Sequence, residues 1–541
     1  MKHLWPPKNG IIAIFLACVT TIILTVTSPN IGMTWDEPVF TEAAQSYAKW
    51  IYMLAKEPAR ALNSATIDTY WIIQNDHPPL GKVWPGLVWL ASRHVFTDLT
   101  AIRFGPILLS ALLVALLYLM IAGTYGKAAG LFASVALMCL PRFFFHAHVI
   151  ALDVPVAVAS FALTFLFWKT VDRKSWTWGL LWGLVWGLAV AIKPNGVFTP
   201  IALVVWFAIF RRKQVAALAL RLVLMGVVAV STYFLVWPWL YYHTWTRVME
   251  YLRYNLHHYA IGQWYLGQYY FPTPWHYAFV ILWAVMPLTV TAMFLAGMVR
   301  AGNGKRDGGL GWLLTISVIV VISSFIVSSN YHHDNERLLM PVFPFLAALA
   351  GIGFDWLFTG IRKLLEQAKQ PALAVPAGFI MGIALLMPQV ATMSGLYPHL
   401  LSYFSEGVGG LPGATKLGLE TTYWCETFAA AIPYINAHAR PHDAIWVEEP
   451  AVLRYYQQIG LLRRDVFFLS GYTKIVPGQS GYGDFGSAQW YIFQYRQSQY
   501  GRYGTVGEEN YLPLQILETQ TPVFEVSYQG VPLMKLYGRL K

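Results

Sequence analysis

Six short stretches of the chain carry residues that could do chemistry. Asp36 and Glu37 are adjacent in Thr34-Trp35-Asp36-Glu37-Pro38, and an ionised carboxylate can act as a general base. Asp76-His77-Pro78-Pro79-Leu80-Gly81-Lys82 sets an acid, an imidazole and an amine close together. A basic pair of that kind can grip a phosphate, and Pro-Pro gives a stiff extended lead into a helix. His146 and His148 precede Asp153, which sits in Leu152-Asp153-Val154-Pro155. Two histidines at i and i+2 with a nearby carboxylate could bind a metal. Lys193 lies in Lys193-Pro194-Asn195-Gly196, His257 and His258 in Asn255-Leu256-His257-His258-Tyr259, and Arg337 in Asp334-Asn335-Glu336-Arg337. Each has a plainer counterpart. Asp36 and Glu37 suit the positive end of a helix dipole. His77 to Lys82 could simply begin a helix beside an interfacial tryptophan belt, and Asp153 could cap one.

The elements that must position these residues are set by composition. Of 541 residues, 56% are hydrophobic and 12% charged, against about 25% charged in soluble proteins. So little charge cannot clothe a water-soluble body of this size. Eleven apolar runs, at 11–27, 101–122, 128–145, 153–171, 176–192, 196–210, 220–240, 276–299, 310–328, 338–358 and 372–391, approach the ~20 residues that a bilayer core requires. Basic residues gather in alternate connections: Lys2 and Lys8, Lys127, Lys169 to Lys174, Arg211 to Lys213, Arg300 to Arg306, and Arg362 to Lys369. By the positive-inside rule these face the cytoplasm, so the net charge of +11 reads as topology and nucleic acid is excluded as a partner. The first run is read as a retained span, because no A-x-A-like cleavage site follows it. The three cysteines form no CxxC pair and set no disulfide framework.

This topology puts all six stretches on the extracytoplasmic side. It predicts a membrane domain over 1–391 with an external loop at 28–100, and an external α/β domain over 392–541. In the loop, Val39 to Lys56 has the spacing of an amphipathic helix on the membrane surface. In the tail, a helix over Cys425–Ala439 and strands at Ala444–Glu448, Asp465–Leu469, Trp490–Tyr495, Val523–Tyr528 and Val531–Tyr537 are expected. Polar groups at membrane depth are functional candidates by default. The absence of an internal repeat and of charged mid-span residues argues against the competing reading, a transporter or lipid flippase.

With these residues in order, the chain resembles the integral-membrane GT-C glycosyltransferases that use polyprenyl-phosphate sugars. Its nearest branches are the protein O-mannosyltransferases and the aminoarabinose transferases that modify lipid A. The resemblance covers most of residues 1–360. It rests on Trp35-Asp36-Glu37 after the first span, His77-Pro78-Pro79-Leu80-Gly81-Lys82, Leu152-Asp153-Val154-Pro155, Lys193-Pro194 after a Gly-rich span, and Arg337-Leu338-Leu339-Met340-Pro341. It implies a polytopic helical GT-C fold with an external tail domain. It also implies an inverting hexosyl or pentosyl transferase, mannosyltransferase-like, in the cell (inner) membrane. The donor would be a polyprenyl-phosphate-linked sugar and the acceptor a hydroxyl of a protein, lipid or glycan, among membrane lipids. Asp36 would be the base and Glu37 its backup or the acceptor's guide. His77, Lys82, Lys193, His257, His258 and Arg337 would hold the donor phosphate, with Asp76 and Asp153 in support. No cofactor is required, and a divalent metal is left open. The chain departs from the aminoarabinose transferases at His77, where a titratable imidazole replaces a basic residue. The WWD-type motif of oligosaccharyltransferases is absent, Thr422-Tyr423-Trp424-Cys425 being the nearest approach. A catalytically inactive relative is a further alternative, opposed by the retained Asp36, His77, Lys82 and Arg337.

Overall fold

The computed structural model describes residues 7–256, 261–302, 307–327, 333–470, 485–498 and 516–540; His257 and His258 lie outside them. Each of the eleven apolar runs carries an apolar helix. Among the described residues, six helices are long and apolar enough to cross a membrane and five are shorter. Those that build the site are α1 (Pro7–Thr27), α2 (Glu37–Lys56), α3 (Leu80–Ser92), α4 (Asp98–Tyr125), α5 (Asp153–Thr170), α6 (Thr177–Ile192), α7 (Val215–Leu235), α8 (Leu288–Gly302), α9 (Phe343–Gln367) and α10 (Ala374–Leu396).

Three runs differ in detail from the sequence reading, each at a proline. The run 276–299 breaks into Tyr277–Val285 and α8, because Met286 is extended ahead of Pro287. The run 128–145 breaks ahead of Pro141, where Leu140 is extended. The residue before a proline is pushed out of the helical region, whatever its hydropathy. Before α9 a 3-10 turn, Arg337–Val342, contains Pro341.

Small residues let these helices approach closely. In α6, Gly179, Gly183 and Gly187 recur every four residues and so share one face. A Cβ on the first two would lie 2.6 Å from the carbonyl oxygens of Arg221 and Met225, and one on Gly187 would lie 2.6 Å from the Thr232 side chain. Helix α7 therefore rides directly on this glycine stripe. Gly297 of α8 and Gly353 of α9 do the same, with Cβ positions 1.9 Å from the carbonyls of Leu349 and Met293. These contacts fix α6 and α9, whose ends carry Lys193 and lead from Arg337.

The tail forms a sheet of β3 (Ala444–Val447), β4 (Phe467–Ser470), β5 (Trp490–Gln494), β6 (Phe524–Tyr528) and β7 (Val531–Tyr537), in the order β4-β3-β5-β7-β6. Strand β3 runs parallel to both neighbours, and β7 antiparallel to β5 and β6. A separate hairpin, β1 (Gln263–Tyr265) and β2 (Gln268–Tyr270), lies between α7 and the helix Tyr277–Val285. The tail shares its core with the helices. One apolar cluster runs from Leu117, Phe143 and Phe345 to Tyr423, Trp424 and Leu533. Another joins Phe40, Ile102 and Leu152 to Phe428, Ile445 and Met534.

The turn between α1 and α2 is pinned from below by Arg103 of α4. Its guanidinium donates to Glu37 Oε1 at 2.8 Å and Oε2 at 2.7 Å, and to the carbonyls of Ser28, Ile31 and Gly32. Both side chains are fully buried. Glu37 also accepts from the backbone N–H groups of Thr34 and Ile150. Breaking a buried pair strands an uncompensated charge at a cost of about 3–5 kcal/mol. Arg103→Met is therefore expected to lower the thermal unfolding midpoint sharply in detergent, with Glu37→Gln milder. Wild-type stability in Arg103→Met would show that this pair does not hold the turn.

Candidate active site

Four loops meet at one end of the helix bundle. Asp36 precedes α2, Asp153 opens α5, Lys193 ends α6, and Asp334 and Arg337 precede α9. Asp36 occupies the N-cap of α2 but makes no cap bond, because its carboxylate turns to Arg337. Lys193 ends its helix in an extended conformation, φ −154°, ahead of Pro194, which cannot continue the helical hydrogen bonding.

The Arg337 guanidinium organises the site. Nη2 donates to Asp36 Oδ2 at 2.5 Å, Nε to Asp153 Oδ2 at 3.0 Å, and Nη1 to Asp334 Oδ2 at 2.9 Å. Lys193 Nζ takes the other oxygen of Asp153 at 2.5 Å. Arg496, from the tail, takes the other oxygen of Asp334 at 2.7 Å. Three carboxylates thus meet three cations, which is what burial of charge demands. Asp153 and Asp334 have both oxygens engaged. Asp36 does not: Oδ2 also receives the Trp424 indole N–H at 3.3 Å, while no hydrogen bond among the described residues reaches Oδ1. Its side chain is 25% exposed, against 1% for Asp153 and 6% for Asp334.

Electrostatics follow from this packing. Burial works against the charge of Asp334, but Arg496, then His333 and Arg337, outweigh it and hold the carboxyl at about 2. The Arg496 guanidinium is desolvated, yet Asp334 and Glu420 raise its affinity for the proton. Burial pushes the His77 imidazole down to about 3, against the opposing pull of Asp76. Burial likewise brings Lys82 down to about 7.

Asp36, Asp153, Lys193 and Arg337 form one cluster, with His77 within electrostatic reach of Lys193 and Arg337. Lys82 is fully buried and donates to the carbonyls of Gln74 at 2.6 Å and His77 at 3.1 Å. It stitches the Asp76–Pro79 loop together rather than facing outward. Asp76 accepts from Tyr254 at 3.4 Å. Glu37 is committed to Arg103 below the site. Glu336, beside Arg337, turns to Arg142, His146 and Tyr423. His148 faces Thr27 and the Phe144 carbonyl. The two histidines therefore do not converge as a metal pair. Among the described residues no group of three or more His, Cys, Asp or Glu is arranged to hold a metal, and the converging carboxylates are each matched by a cation. Trp424 stood out in the sequence only as part of Thr422-Tyr423-Trp424-Cys425, with no role attached, and Arg496 went unread, since both lie in a tail whose polarity is ordinary.

A family model for dolichyl-phosphate-mannose-protein mannosyltransferases matches residues 76–242. That segment holds Asp76, His77, Lys82, Asp153 and Lys193. No curated protein sequence matches the chain. Among solved structures, the chain is similar to ArnT from Cupriavidus metallidurans bound to undecaprenyl phosphate, with a TM-score of 0.50 and 16% identity over 97% of both chains. The apo state of that protein gives 0.51 and 15% over 98% of both. An oligosaccharyltransferase from Archaeoglobus fulgidus, AglB with an inhibitory peptide and dolichol-phosphate, gives 0.47 and 11% over 88% of this chain and 69% of the other.

The depressed imidazoles carry a sign. His77 takes its proton near pH 3 when folded but near 6.5 when unfolded, so the folded state loses stability as pH falls below about 6.5. His333, at about 4, acts in the same direction. In His399, Glu426 outweighs burial and raises the value, so that group opposes the trend. Asp334 contributes stability that is lost only below the ordinary carboxylate range. Acidification from pH 6.5 to 4.5 is expected to cost roughly 2 kcal/mol at His77. Thermal unfolding midpoints across that range should fall less steeply in His77→Gln than in wild type. Equal slopes would refute a buried neutral His77.

Proposed function

We propose, from the GT-C fold that this chain has, that it is an inverting glycosyltransferase. It moves a sugar from a polyprenyl-phosphate donor to an acceptor hydroxyl on a protein, lipid or glycan. The observation that carries the reading is the half-free carboxylate of Asp36, set beside Lys193 and Arg337 at the mouth of the bundle. The undecaprenyl phosphate bound by the similar ArnT structure supports a lipid-phosphate donor. The mannosyltransferase-type segment 76–242 supports a hexose such as mannose.

The chemistry follows from the groups present. The acceptor hydroxyl gives its proton to Asp36 Oδ1, and its oxygen bonds to the anomeric carbon opposite the phosphate. The bond from that carbon to the phosphate oxygen breaks, its electron pair leaves with the polyprenyl phosphate, and the phosphate gains a negative charge. Lys193 is placed to meet that charge. An ammonium has three N–H donors, Asp153 takes one, and the side chain is 13% exposed. Arg337 donates to Asp36 Oδ2 and sets the angle of its carboxylate. His77, buried and neutral, adds polarity without charge, and Lys82 fixes the loop that carries it. The Glu37 carboxylate positions the turn that bears Asp36. His257 and His258 are kept as donor-phosphate candidates on the family resemblance alone.

The positive-inside pattern supports a cytoplasmic amino terminus and an extracytoplasmic site in the cell (inner) membrane. Residues 1–391, with loop 28–100, would form the catalytic membrane part, and 392–541 the external part that leans on it. The test is sugar transfer in membranes given a panel of labelled polyprenyl-phosphate monosaccharides, with wild type beside Asp36→Asn. Label should move from one donor into protein or lipid, and fall at least about 100-fold in the variant. Undiminished transfer by Asp36→Asn would remove Asp36 as the base. No transfer from any donor by folded wild-type protein would overturn the reading.

A further inference from the structure

Trp424 and Cys425 are consecutive non-glycine residues in the left-handed region, at φ +73° and +65°. Such backbone is costly and persists only where the surroundings over-determine it. Here they do. The Trp424 carbonyl accepts from Trp35 N–H at 2.9 Å, and Cys425 N–H donates to Gln494 of β5 at 3.0 Å. On the facing loop, a Cβ on Gly32 would lie 1.8 Å from the Glu426 carbonyl oxygen, so only a glycine there admits the tail this close. The result of the strained turn is specific. It carries the indole out of the tail and lays its face against the Arg337 guanidinium, 4.2 Å from the ring centroid. Its N–H then points at Asp36 Oδ2. Behind it, His146 packs at 5.4 Å between ring centroids, and Trp424 itself is 1% exposed.

We infer that Trp424 is a positioning residue for the base, so that the carboxyl-terminal part of the chain completes the active site. The indole N–H and the Arg337 Nη2 share Asp36 Oδ2, and together they fix the rotation of the carboxylate. That rotation leaves Oδ1, and not Oδ2, toward the acceptor. The guanidinium is held in turn between the indole face and its three carboxylates, a site suited to arginine's stacking and planar fork. Losing the N–H frees the carboxylate to rotate about its χ2, which is broad and soft for an aspartate. The inference rests on the Asp36 reading above.

The test compares Trp424→Phe, Trp424→Leu and replacement of Trp424 by 3-benzothienylalanine, which keeps the indole shape but has sulfur in place of N–H. Steady-state transfer is measured on full-length protein in membranes, with unfolding midpoints in detergent. The benzothienyl protein should keep wild-type stability and donor KM while kcat falls about fivefold to tenfold, the scale set by misoriented reacting groups and a lost charge-assisted bond. Trp424→Phe should match it if folded, and Trp424→Leu should lose more, because the face on Arg337 is gone as well. Unchanged kcat in the benzothienyl protein, or a change confined to KM or stability, overturns the inference. Asp36→Asn separates the two claims. If Asp36→Asn is inactive while the benzothienyl protein is fully active, the base stands and only Trp424's role falls. If Asp36→Asn is active, the base assignment itself falls.

Discussion

A single guanidinium shared by three carboxylates is the constraint on which the rest of this structure depends. Arg337 offers Nε, Nη1 and Nη2 to Asp153, Asp334 and Asp36 respectively. Only a planar fork can address three acceptors from one carbon, and a lysine ammonium could not hold the same directions. Charges taken out of water demand pairing, so satisfying Arg337 forces three distant parts of the chain to converge. The convergence leaves Asp153 and Asp334 each with one open oxygen, which Lys193 and Arg496 close. Of the three, Asp36 alone keeps an oxygen to spare, so the proposed base is the group that the network does not use up.

Why the network sits at helix ends follows from the solvent. Apolar helices satisfy their own backbone and tolerate little polarity along their length. Charged side chains can gather only where helices stop, in loops that the tail can cover. The precision of the gathering then depends on how rigidly the ends are held. The glycine stripe of α6 against α7 and the Gly297–Gly353 contact between α8 and α9 bring backbones to near-minimal separation. Such packing leaves no room for sliding, so Lys193 and Arg337 inherit fixed positions. Arg103 and Glu37 do the same for the turn that presents Asp36.

Much of this was legible in the sequence, and the reason lies in contrast. Against apolar runs, Asp36, Asp153, Lys193 and Arg337 are conspicuous, and their expected placement at span ends on one side pointed to one site. The tail strands were also readable, since alternation and turn residues bound them closely to the observed β3 to β7. The breaks before Pro141 and Pro287 were lost because hydropathy averages across a proline. Lys82 showed its charge but not its direction; whether an amine faces a ligand or two carbonyls is a tertiary fact. Arg496 and the role of Trp424 were invisible for a different reason. In a segment of ordinary polarity neither residue is unusual, and nothing local announces that a strained turn will carry an indole across to Asp36.

The charge balance of the site bears on how the proposed reaction gains its rate. A cluster with equal numbers of carboxylates and cations presents no large positive field to an arriving donor. Tight binding of the ground-state phosphodiester is therefore not what the arrangement favours. As the bond to the anomeric carbon lengthens, charge builds on the phosphate oxygen and the proton moves onto Asp36. Asp36 is then neutralised, and the cluster, with three cations to the two remaining carboxylates, is left with a net positive charge facing the departing phosphate. Attraction thus grows along the reaction rather than before it, which is the condition for lowering a barrier instead of deepening a well. A site with one fewer carboxylate would hold the lipid phosphate more strongly from the outset and release it more slowly afterwards.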